Sequence, residues 1–190
     1  MKGTRPVQGV VPPLNGAGKV YIYVPNRRMA MTTITPFLWF EGKAEEATAF
    51  YASVFKDSKL GRIKRFGDYM PGPKGEVMTG RFTICGQDFM VLNGGPNGDQ
   101  RFTEAISFFI AVDTQQEIDY YWTALVADGG EPGPCGWLKD KYGLSWQVTP
   151  KVLEELMNDP DIEKADRVTK AMLRMEKIDI AGLQAAYDRA

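Results

Sequence analysis

A strand, an amphipathic helix and the helix's aromatic anchor occur twice in this 190-residue chain, in register at an offset of 71. Pro36 falls on Ser107, Phe37 on Phe108, Glu46 on Glu117, and Phe50-Tyr51 on Tyr121-Trp122. In the first copy, residues 34–40 (ITPFLWF) form an almost wholly apolar run that reads as a strand covered on both faces. Residues 44–55 follow as a helix, with Ala47, Phe50, Tyr51 and Val54 on one face and Glu45 and Glu46 in the first turn. Three strand-like runs come next, at 59–66, 76–84 and 88–93, separated by turn-forming residues. The second copy opens with a strand over 105–112 and a helix capped by Thr114 with Glu117 three residues on. That helix carries an apolar stripe of Ile118, Tyr121, Trp122, Leu125 and Val126, and two shorter strands at 137–140 and 144–148 follow a loop over 129–134. The repeated unit is βαβββ, and the expected fold class is α+β, with tandem units forming curled mixed sheets.

The regions outside the repeat differ in character. Residues 1–32 hold no helical or strand period and read as a flexible extension whose first 28 residues are dispensable for folding. Gly16 and Gly18 beside Lys19 lack the strand–turn–helix context of a phosphate cradle. Residues 33–150 make the paired βαβββ domain, and residues 151–190 a C-terminal helical segment. Helix starts are expected at Thr149-Pro150, at Asp159-Pro160 and at Asp179. A methionine-rich stripe through Val168, Ala171, Met172 and Met175 reads as core or subunit contact.

Composition removes whole classes of chemistry. The chain has no histidine, so Ser-His-Asp and Cys-His catalysis, HExxH zinc sites and two-His-one-carboxylate iron sites are all excluded. Two cysteines are too few for a disulfide scaffold or an all-thiolate zinc site, and Cys85 and Cys135 read as reduced thiols of a cytoplasmic protein. A net charge of -1 offers no overall attraction for nucleic acid or anionic lipid. No apolar run reaches membrane-span length, and Arg27-Arg28 leads into Pro36 and Glu41 instead of the apolar stretch of an export signal.

Three segments carry a more specific signal. ITPFLWFEGKAEEATAFYASVF, CGWLKDKYGLSWQVTP and DPDIEKADRVTKAMLRMEKIDIAGLQAAY resemble the PhnB-like branch of the vicinal oxygen chelate superfamily, a branch often labelled 3-demethylubiquinone-9 3-methyltransferase. The resemblance implies a glyoxalase/bleomycin-resistance-like fold whose metal-using members place four ligands in each open cavity. Carried onto this chain, those positions fall at or next to Pro36, at Ser107, at Gln147 and among residues 90–93. Such a set supplies one amide and a hydroxyl where a divalent ion requires imidazoles or carboxylates. No metal and no cofactor are therefore expected. The methyltransferase label implies a Gly-rich loop after the first strand, and Glu41-Gly42-Lys43 is not one, so methyl transfer to a quinone-like ring is the disfavoured alternative.

Strand alternation then nominates the cavity. Ser107, Phe109 and Ala111 share one face; Leu38 and Phe40 share the face of Pro36; Ser145 and Gln147 lie opposite Trp146. Trp137, after a Pro-Gly loop, reads as a pocket wall, and Asn93 as a further polar group. A mostly apolar cavity with few polar groups suits a small aromatic or amphiphilic ligand. The competing expectation is a structural or regulatory dimer whose cavity Phe109 and Phe40 fill. No catalytic residue stands out: Glu76, Asp88, Glu104 and Asp140 read as solvated charges, Cys135 as incidental, and Arg62, Lys64 and Arg65 as an exposed strand face. A homodimer is expected, its interface drawn from Val168, Met172, Met175, Leu183 and Tyr187.

Overall fold

Each half of the repeat builds its own four-stranded sheet. A computed structural model describes residues 32–94 and 101–189; the expected N-terminal extension lies outside the described residues. The first half runs β1 (Phe37–Glu41), α1 (Ala44–Val54), β2 (Ser58–Arg65), β3 (Val77–Ile84) and β4 (Gln87–Gly94). The second runs β5 (Ser107–Val112), α2 (Gln115–Val126), β6 (Glu131–Pro132), β7 (Trp137–Lys139) and β8 (Ser145–Pro150). The two-residue β6 was not expected inside the loop over 129–134; it is too short to leave a period in the sequence. Strand order is β1-β4-β3-β2 in one sheet and β5-β8-β7-β6 in the other. The outer pairs β1–β4 and β5–β8 are parallel, so both halves share one topology.

One face of each sheet lies under the helices and the other is open. In β1, Leu38 and Phe40 are buried while Phe37 and Trp39 keep 54% and 37% of their surface. The expectation that β1 is covered on both faces is therefore corrected, and so is the placing of Leu38 and Phe40 on the cavity face. The reason is a one-residue slip. The helices repeat at 71, with Ala47 and Ile118 buried alike, but the strands repeat at 70: Leu38 matches Phe108 and Trp39 matches Phe109. The two-residue connections into α1 and α2 are equal in length, and the extra residue lies in the strand: β5 has six residues where β1 has five. A slip of one residue exchanges the two faces of a strand.

The halves share a single core within the unit formed by residues 35–190. Tyr51 of α1 lies 5.6 Å from the Trp146 ring, Phe55 stacks on Tyr121 at 5.3 Å, and Phe89 meets Phe108 edge-on at 5.0 Å. Trp146 thus packs on the helix side, as alternation requires. α2 begins with the expected capping box between Thr114 and Glu117.

The C-terminal segment forms α3 (Lys151–Met157), α4 (Ile162–Met172) and α5 (Ile180–Asp188). Two of its starts differ from expectation. Thr149 remains in β8 and α3 starts after Pro150 without a side-chain cap, while α4 is capped by Asp161, which accepts from the N–H groups of Glu163 and Lys164. Asp159 instead accepts the Tyr187 hydroxyl at 2.7 Å; Asp179 caps α5 as expected. Val168 and Leu183 are fully buried, and Met172, Met175 and Tyr187 pack against the core of their own chain. They are not the exposed apolar surface that the dimer expectation relied on. The chain between α4 and α5 is clamped by backbone bonds, Cys135 N–H to Met175 O and Gly136 N–H to Glu176 O, both 2.7 Å. Gln115 of α2 holds it from the other side, donating to Ile178 O and accepting from Ile180 N–H. Among the described residues no helix is long and apolar enough to cross a membrane.

Candidate functional site

The open face of the second sheet gathers most of the nominated residues. Register places Ser107 beside Ser145 and Phe109 beside Gln147 across the parallel pair, and Lys139 beside Ser145 and Trp137 beside Gln147 across the antiparallel one. Gln147 Nε2 donates to Ser107 Oγ at 2.8 Å, so the two inherited ligand positions satisfy each other. Phe109 stands on the same face, 60% exposed. Ser145 is different: it is 1% exposed, and among the described residues its hydroxyl has no hydrogen-bond partner. A buried polar atom left unpaired costs free energy, so its position requires an account.

Ser145 lines a pocket of about 470 Å³ walled by Trp137, Leu138, Pro132 and Pro134, with Glu104, Glu131 and Lys139 at its polar side. Lys139 and Glu104 form an ion pair that lowers the Glu104 carboxyl and raises the Lys139 ammonium from their ordinary pKa values. A second pocket of about 610 Å³ shares Lys139 and Glu131 with the first and lies at the seam of the two halves. Its aromatic walls are Trp39, Phe40, Phe102 and Tyr142; Phe40, otherwise a core residue, meets Phe102 and Tyr142 edge-on. The Trp39 ring lies close over Gly94, where a Cβ would sit 2.0 Å from it, so a larger residue there would push the indole aside.

The matching positions of the first sheet are apolar, although Thr79 and Arg81 stand beside them on the same face. Phe37 takes the place of Ser107, and Leu92, beside Trp39, takes that of Gln147. The inherited four-position set therefore reads Phe, Leu, Ser and Gln, a donor set that does not fit a divalent cation. Among the described residues no three His, Cys, Asp or Glu side chains gather elsewhere in a way that could hold one.

Two residues sit elsewhere than the sequence suggested. Asn93 faces the helix side, 6% exposed, where its Oδ1 accepts the Ala44 N–H at 2.7 Å and caps α1. Asn93→Ala is expected to cost about 1–2 kcal/mol, read by urea unfolding, without altering ligand affinity. Asp140, taken for a solvated charge, is 2% exposed and accepts four hydrogen bonds: Tyr51 OH and Trp146 Nε1 on one oxygen, Tyr142 and Leu144 N–H on the other. Burial raises its pKa, against the pull of those donors. Its flanking lysines, in KDK, are what made it look like a surface turn.

Comparison with known proteins adds the lineage. The family model for 3-demethylubiquinone-9 3-methyltransferase matches residues 32–149. The chain belongs to that family. It is a member of the vicinal oxygen chelate superfamily, with the glyoxalase/bleomycin-resistance α+β fold. The PhnB protein from Bacillus cereus is 40% identical, aligned over 63% of this chain and 99% of its own, with a TM-score of 0.57. Protein PA1353 from Pseudomonas aeruginosa (24% identity, 63% of this chain and 97% of that one, TM-score 0.53) shares the fold. So does the fosfomycin resistance protein FosX from Listeria monocytogenes (18% identity, 67% and 96%, TM-score 0.50). No curated protein gives a match. The family match ends within β8, so helices α3 to α5 lie beyond it.

Proposed function

We propose that this family member is a cytoplasmic homodimer that binds a small aromatic or amphiphilic molecule on the open face of its second sheet, without a metal ion. The observation that carries the reading is the buried, unpartnered Ser145 hydroxyl lining an otherwise largely apolar pocket with Trp137. A ligand oxygen or nitrogen there would supply the missing bond, and the apolar walls would take up its body. Ser107 and Gln147 line neither pocket; their mutual bond makes them a polar rim on the same face, able to turn toward a ligand. Phe37, Ile106 and Phe109 are exposed on or beside the open faces, and a second copy laid there would cover them and close the groove. On this reading the interface is formed by sheets and not by the methionine-rich helices. Methyl transfer, which the family label names, finds no support in two mixed sheets joined to their helices by connections such as Glu41-Gly42-Lys43.

The test is Ser145→Ala. Removing an unpaired hydroxyl should leave the free protein as stable or up to about 1 kcal/mol more stable. The same change should abolish most of the thermal stabilisation that a panel of phenols and phenylalkanoates gives the wild type. A destabilised Ser145→Ala protein would mean that the hydroxyl already serves the fold. Stabilisation by S-adenosylmethionine instead of the aromatic panel would favour methyl transfer. Phe109→Glu is expected to shift the mass seen by light scattering from two chains to one; an unchanged monomeric mass near 21.2 kDa in the wild type would reject the dimer.

A further inference from the structure

The seam pocket that adjoins the Ser145 pocket is rich in positive charge. Lys43, Arg101, Lys139 and Lys141 line it against two carboxylates, Glu41 and Glu131. None of the four is tightly committed across the pocket. Lys139 is held from the far side by Glu104; Lys141 rests over the rings of Phe50 and Tyr142 at 4.8 and 5.4 Å, with Glu46 and Asp128 at 3.8 and 4.0 Å. Lys43 makes no ion pair among the described residues. A concave, partly desolvated surface with an excess of cations attracts an anion, and its aromatic walls favour a flat or apolar attachment to that anion. Lys139 stands between the two pockets and lines both, so one molecule reaching past it would meet Trp137 with its body and the lysines with its head.

We infer that the ligand of this groove is an organic acid with an aromatic or apolar body, its anionic group held at the seam by Lys43, Lys139 and Lys141. The inference rests on the small-molecule reading above and adds the charge of the ligand. An arriving carboxylate or phosphonate competes with Glu104 for Lys139, so binding exchanges one ion pair for another there and gives Lys43 a partner.

The test compares 4-phenylbutanoate with its neutral isostere 4-phenylbutanamide, using quenching of Trp39 and Trp137 fluorescence to read affinity in the full chain. The acid is expected to bind about tenfold more tightly than the amide. In the Lys43→Ala/Lys139→Ala double variant the two affinities should converge to within about twofold, with amide binding retained and near-ultraviolet circular dichroism unchanged. Equal affinity for acid and amide in the wild type would overturn the anionic head while leaving the groove in place. A preference for the acid that persists in the double variant would overturn the assignment to these lysines. If neither compound binds, the small-molecule reading itself falls. Should the double variant misfold, Lys43→Met alone, at an exposed helix start, carries the same comparison.

Discussion

Asp140→Ala is expected to cost about 3–5 kcal/mol of folding stability, enough to leave a chain of ordinary stability largely unfolded at 37 °C. The loss follows from what remains behind. Tyr51 OH, Trp146 Nε1 and the N–H groups of Tyr142 and Leu144 would all point at a methyl group. Asp140→Asn should be intermediate, near 2–3 kcal/mol, because an amide offers one acceptor and turns a donor toward donors. Tyr51→Phe removes a single bond to a carboxylate and should cost about 1.5 kcal/mol. Denaturant unfolding orders the three variants; a Tyr51→Phe loss equal to that of Asp140→Ala would mean that the buried acid matters through Tyr51 alone. The pH dependence has a definite sign. Burial raises the Asp140 pKa in the folded state, so the folded chain holds this proton more tightly than the unfolded one. The contribution is therefore complete below the ordinary carboxyl pKa and lost as pH rises through the raised value. The stability gap between wild type and Asp140→Asn should accordingly be wider at acid pH than at neutral pH.

The second large effect concerns the C-terminal helices. Truncation after residue 160 is expected to abolish cooperative folding, with loss of the near-ultraviolet dichroism of the Tyr51–Trp146 cluster. It removes Val168, Ile178 and Leu183, all fully buried, and strips the bonding partners from Cys135, Gly136 and Gln115. Ile178→Ala alone should cost about 2–4 kcal/mol, and Gln115→Ala about 1–2 kcal/mol through the freed Ile178 carbonyl and Ile180 amide. A truncated protein that keeps a sharp unfolding transition would show these helices to be an outer layer. Their lying beyond the family match would then have a simple structural meaning.

The elements were legible because each carries its own period: the α1 and α2 stripes, the alternation in β4 and β8, and the Thr114–Glu117 cap were all readable from neighbours a few residues apart. The open face of the second sheet followed, since Ser107, Phe109, Ser145 and Gln147 obey alternation within their own strands. The first sheet failed for a local reason. An offset set by the helix anchors was extended into a strand one residue shorter than its counterpart, which turned Leu38 and Phe40 to the wrong side and left Phe37 and Trp39 unremarked. Asp140 and Asn93 were illegible for another reason: each is defined by a partner far along the chain, Tyr51 and Ala44, and nothing in KDK or in LNGG announces that partner. The lysine seam was missed likewise, because Lys43 and Lys141 come together only when the halves meet.

Those distant partners also set a timetable for synthesis. Tyr51 and Asp140 are 89 residues apart, and Glu46 and Tyr142 are 96. At roughly 5–20 residues added per second, the ribosome needs about 4–18 s to deliver the acid after the tyrosine. Until Trp146 follows, Tyr51 of α1 and Phe55 just after it lack the indole that both pack against. The first half-sheet must therefore emerge as a partly dressed intermediate, exposed to aggregation, and be completed by its own duplicate. The later half holds what finishes the packing of α1, the Trp146 ring and the Asp140 carboxylate, so the earlier half is covered only once its counterpart has followed.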